Sequence, residues 1–82
     1  VAHYFFHFRD GRGLLRDGEG RDFASAAGMR IAALADARSM IADDVLHGTI
    51  RLDQRIEVED SRGAPVYSLV FADAVTVKGG RG

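Results

Sequence analysis

The chain has 82 residues, 46% of them hydrophobic, with 11 basic and 12 acidic side chains for a formal net charge of -1. That composition lies above the disordered range and predicts one domain with a thin core, hiding roughly 60–65% of the extended chain's surface. Near-neutral charge without blocks of one sign argues against nonspecific nucleic-acid affinity, and the lack of cysteine excludes disulfides, thiolate zinc sites and thiol nucleophiles.

From His3 to Arg9 the residues are aromatic or β-compatible and predict a first strand. Asp10-Gly11-Arg12-Gly13 suits a tight hairpin, with Asp10 and Gly11 as a two-residue turn and Leu14 to Asp17 as the return strand. Asp17-Gly18-Glu19-Gly20 reads as a second turn. Ser25 is placed to cap a long helix that stops at Gly48, and Ala27, Ile31, Leu34, Ile41 and Val45 recur at helical spacings that predict one apolar stripe. After a connector from Thr49 to Asp53, RIEVED alternates Ile56 and Val58 with Glu57 and Glu59, as a half-buried strand does. SRGAP turns the chain, VYSLVF supplies the last strand, and ADAVTV extends it or forms a short final element. The expected architecture is α+β, in the order ββαββ, with one long helix packed on a mostly antiparallel sheet. Residues 1–78 form a single compact domain in this reading, and 79–82 a disordered C-terminal tail. No stretch approaches the ~18 apolar residues of a membrane helix and no signal-peptide pattern opens the chain, so a soluble, cytoplasmic protein is expected.

Alternation along the first strand puts Tyr4, Phe6 and Phe8 on one face, under the helix, and His3, Phe5 and His7 on the other. His3 and His7 are then about 13 Å apart. One zinc ion, at ~2.0–2.1 Å from each nitrogen, cannot bridge them. With an Asp10-Gly11 turn, Phe5 lies across from Arg16 and Arg9 across from Arg12. The outer face then carries His3, Phe5, His7, Arg9, Arg12 and Arg16, the candidate interaction face. Basic residues around a phenylalanine on an open sheet suit base stacking. If the strand bearing Glu57 and Glu59 lies beside the first, however, those carboxylates meet the arginines and little positive field remains.

Other chemistry is not selected. GRGLLRDGEG lacks the spacing of a dinucleotide or phosphate loop. DGEGRD lacks the calcium-loop order because Arg21 occupies a ligand position. Ser25, Ser39, Ser61 and Ser68 have no nucleophile context, and His47 beside Gly48 suits a helix C-terminus. Asp43 and Asp44 oppose the helix dipole there, which predicts Arg51 or Arg55 nearby. No catalytic residue, metal or cofactor is implied.

Taken together, YFFHFRDG, the turn residues Asp17 and Gly20, the helix ALADARSMIADDV, RIEVED with Gly63 and the closing VFADAV resemble a family of short bacterial proteins, common in alphaproteobacteria, known only as a domain of unknown function. The resemblance spans Tyr4 to about Val77 and brings no functional residues with it. Members of that family usually carry a more charged helix. Gly28, Met29 and several alanines stand here instead, which suggests a helix flank buried against another subunit. The expected function is a noncatalytic protein-interaction or regulatory module, self-associating as a homodimer through the outer sheet face or the alanine-rich helix flank, or binding an unknown protein partner. The alternative is a nucleic-acid-binding module using Phe5, Arg9, Arg12 and Arg16.

Overall fold

The computed structural model describes residues 1–79; the tail expected at 79–82 lies, apart from Gly79, outside the described residues. The elements run β1 (Ala2–Asp10), β2 (Gly13–Leu15), β3 (Arg21–Phe23), α1 (Ala26–Leu46), β4 (Arg55–Asp60) and β5 (Pro65–Val70), then a 3-10 turn over Phe71–Asp73. All strand pairs are antiparallel. β1 is central: β4 and then β5 lie on one side of it, while β2 and β3 share its other side end to end. The α+β architecture with one helix over an antiparallel sheet is as the sequence predicts.

Three expectations are corrected. β3 is an additional strand, in which Ala2 to Tyr4 of β1 pair with Phe23 to Arg21. Its three residues, two of them charged, have little strand preference of their own, and β1 imposes the conformation. The hairpin turn is Gly11-Arg12, because Asp10 faces Gly13, Arg9 faces Leu14 and Phe8 faces Leu15. Asp10 fixes that turn by accepting the Arg12 N–H at Oδ1 (2.7 Å), so Asp10 is the residue before the turn and not within it. The pairing is displaced by two residues, which preserves the faces but removes the expected Phe5–Arg16 and Arg9–Arg12 pairs.

The third correction is the helix stripe. Met29, Ala33, Ala37 and Ile41, four residues apart, are the buried set. Of the expected stripe, Ile31 is 69% and Val45 51% exposed, Ala27 is exposed, Leu34 is half-buried, and Ile41 alone is buried. The floor explains the choice. Tyr4, Phe6 and Phe8 line the sheet under the helix, and two alanines let the helix backbone settle on those rings where larger side chains would hold it off. Ile56, Val58, Leu69, Phe71 and Ala74 complete the core against that floor.

The helix ends follow the sequence closely. Ser25 Oγ accepts the Gly28 N–H at 3.1 Å. At the other end Gly48 adopts φ +83°, its N–H bonds the Val45 carbonyl and the Thr49 N–H bonds the Asp44 carbonyl. These two bonds satisfy carbonyls that the last turn leaves without partners.

Candidate functional site

Four of the six expected interaction residues, His3, Phe5, His7 and Arg9, line one face of β1, but their polar groups are already used. β4 runs beside β1 with Phe5 facing Glu59 and His7 facing Glu57. Polar contacts form along the diagonals: Arg9 Nε donates to Glu57 Oε2 at 2.7 Å in an ion pair, and His7 Nε2 lies 3.0 Å from Glu59 Oε1. His7 is only 4% exposed. The Asp17 N–H donates to its Nδ1 (3.0 Å), so the ring proton sits on Nε2 and is given to Glu59. Phe5 stands between the histidines, edge-on to His3 with centroids 5.0 Å apart and parallel to His7 at 6.5 Å. Arg12 sits in the hairpin turn and Arg16 just beyond β2, both exposed, and neither is the strand partner of Phe5. The structure therefore does not assemble the expected basic platform: β4 brings the carboxylates to the arginine and histidine.

The gap between β2 and β3 is built around Asp17. Its Oδ2 accepts the Phe6 N–H at 3.0 Å, and its Oδ1 accepts the N–H groups of Glu19 and Gly20, each at 3.1 Å. A carboxylate thus takes the place of a neighbouring strand where β1 has none. Partial burial pushes the Asp17 carboxyl up, but the bonds from Phe6, Gly20 and Glu19 together outweigh it and hold its pKa below the usual value. His3 closes the same loop. Its Nδ1 is 2.6 Å from Asp22 Oδ1 and its Nε2 donates to the Glu19 carbonyl at 2.8 Å. The Asp22 carboxylate, then the Glu19 carbonyl, raises the His3 pKa by favouring the doubly donating ring. Gly20 has φ +71°, and a Cβ there would meet His3 Nε2 at 2.5 Å and the Tyr4 carbonyl at 2.7 Å. On the helix side, Arg21 lies 4.2 Å over the Phe6 ring and pairs with Asp36, tying β3 to α1.

Two depressions lie against α1. One, of about 470 Å3, lies at the helix C-terminal end among Phe8, Asp10, Ser39, Asp43, Asp44, Arg51 and Gln54, so the expected Arg51 shares a depression with the two aspartates but forms no ion pair with either among the described residues. Among the described residues, no group of three histidine, aspartate or glutamate side chains is placed to hold a metal ion. The other is an open groove of about 590 Å3 between α1 and β5, with Ala27, Arg30, Ile31 and Leu34 on the helix side and Tyr67, Ser68, Leu69 and Asp73 opposite. Sequence reasoning did not place this groove. Its signal was present in Ile31 and Leu34, which carry the helical period but belong to a stripe the sheet does not cover. Asp17 was read as a turn residue, and its local part in the Asx turn follows from DGEG; its bond to Phe6, eleven residues back, is not visible in a local pattern.

The family model described as Domain of unknown function (DUF6894) matches residues 3–72, and the chain belongs to that family. No curated protein and no solved structure matches it.

Proposed function

We propose that this member of the DUF6894 family is a noncatalytic protein-interaction module that associates with copies of itself. The observation that carries the reading is a division of labour on the surface. The side chains with chemical potential, His3, His7, Arg9 and Asp17, are spent on one another and on the backbone, whereas large apolar side chains such as Ile31 and Val66 are left to solvent. A small domain with a thin core gains most from covering such groups with another chain. A cytoplasmic, bacterial setting belongs to the same proposal and rests on the sequence.

Sedimentation equilibrium at micromolar concentration, with affinity capture from the native host, tests the reading. It predicts reversible association or a stoichiometric protein partner; a strictly monomeric chain that captures nothing would overturn it. The nucleic-acid alternative is disfavoured by the pairing of Arg9 with Glu57 and by a hairpin register that leaves Phe5 without its expected Arg16 partner and puts Arg12 in the turn. Titrations with single- and double-stranded probes at low salt are expected to stay flat; an affinity that falls steeply with salt and is lost on Phe5→Ala would restore that alternative.

A further inference from the structure

We infer that β5 is the self-association element: two copies pair their β5 strands antiparallel about a two-fold axis at Ser68, joining two sheets into one and closing the groove beside α1. The inference rests on the interaction reading above and names its surface and partner. β5 is a terminal strand of the sheet, and no described segment pairs with its outer side. The Phe71 N–H donates to the Gln54 carbonyl across the β4 side (2.8 Å). Because bonding direction alternates along an antiparallel pair, the main-chain groups of Tyr67 and Leu69 also face β4, and those of Ser68 and Val70 point outward; a bulge at Val66, where Tyr67 faces Val58 but Pro65 faces Glu59, interrupts the alternation before them.

That outward set is self-complementary. With Ser68 facing Ser68 of the second copy, the two serines exchange both N–H···O bonds across the two-fold, and Val70 of each copy faces the bulge at Val66 of the other. On the helix side Tyr67 meets Leu69, and the exposed Ile31 of each copy comes towards the joint. Val66, 44% exposed, is covered at either end of the joint. Pro65, which has no N–H, falls outside this ladder.

Charge selects a second copy as the occupant. Arg30 and Asp73 both line the groove, and among the described residues neither forms an ion pair. α1 follows β3 at the Ala2 end of β1 and reaches the Phe8–Asp10 end with Ser39 to Asp44, so it runs in the direction of β5. Arg30 therefore lies towards the start of β5, and Asp73 lies past its end. A two-fold at Ser68 reverses one copy against the other and sets the Arg30 end of each groove against the Asp73 end of its mate, twice per dimer.

The test uses the full chain and two charge reversals, Arg30→Asp and Asp73→Arg, both at exposed positions, with circular dichroism to verify folding. Sedimentation is expected to give a dimer for the parent chain and a dissociation constant weakened ~10-fold or more for each variant alone, where like charges face each other. An equimolar mixture of the two variants restores opposite charges at both junctions and is expected to dimerise again. Folded single variants that dimerise like the parent, or a mixture that stays monomeric, would overturn the inference while leaving self-association standing. A monomeric parent that captures a different protein would also overturn it, with the broader interaction reading intact.

Discussion

The two sides of this sheet solve the same problem in opposite ways. On the β2/β3 side the edge is interrupted, and the unpaired stretch of β1 is closed by a side chain: Asp17 accepts the Phe6 N–H while its own N–H meets the buried His7. On the β5 side six residues run along the rim of the sheet, with one bulge against β4 at Val66. Exposed edges are liabilities that folded chains ordinarily blunt with charge, proline or a covering segment. Here charge and loop are concentrated on one side. The other has apolar valines and a serine, with Pro65 and the bulge at Val66 only at its start. The contrast teaches that histidines and carboxylates gathered at the front of a sequence mark the finished side of this molecule, and that the side left for a partner is chemically plain.

The largest effect is expected from breaking the finished side. Gly20→Ala forces a side chain into His3 and the Tyr4 carbonyl at positive φ, and should cost about 3 kcal/mol in urea unfolding; an unchanged midpoint would mean that the loop is not held as described. Asp17→Ala leaves the Phe6 N–H without its acceptor and should cost about 2 kcal/mol, with Asp17→Asn recovering part of it. The contribution of Asp17 also has a pH signature. Its pKa is lower folded than unfolded, so its stabilisation is complete above the ordinary value of 3.8 and disappears as pH falls through the lowered one.

His3 gives the opposite sign. Its raised pKa means that the Asp22–His3–Glu19 clamp is fully present below the ordinary value of 6.5 and weakens as pH rises through the raised one. Unfolding midpoints across neutral pH should show this decline in the parent chain and lose it in His3→Gln; identical profiles would remove His3 from the account. The smallest effect on folding belongs to the open side, where Ser68→Lys should change stability by no more than about 0.5 kcal/mol while abolishing self-association. A large loss of stability there, with association intact, would reverse the assignment of the two sides.

Much of this was legible in the residues. Alternation in β1 placed Tyr4, Phe6 and Phe8 under the helix because a strand has only two faces and the rings take the buried one. Ser25 and Gly48 marked the helix ends because capping is a local property of the backbone. The helix phase was not legible. Two apolar stripes share α1, and the choice of the alanine stripe depends on the height of the aromatic floor, which belongs to another element. β3 was hidden for a similar reason, since Arg21–Phe23 is a strand only because β1 lies beside it. The outer face was half legible: parity gathered His3, Phe5, His7 and Arg9, but the diagonal contacts that engage His7 with Glu59 and Arg9 with Glu57 required the β1–β4 register.

Amide hydrogen exchange of the full chain, followed residue by residue as a function of protein concentration, tests the open edge most directly. The account predicts that Ser68 and Val70 exchange rapidly in dilute solution and become protected as concentration rises, while the Phe6 amide beneath Asp17 is protected at every concentration. Ser68 and Val70 amides that exchange at one rate throughout, in samples shown by sedimentation to pass from monomer to dimer, would contradict it.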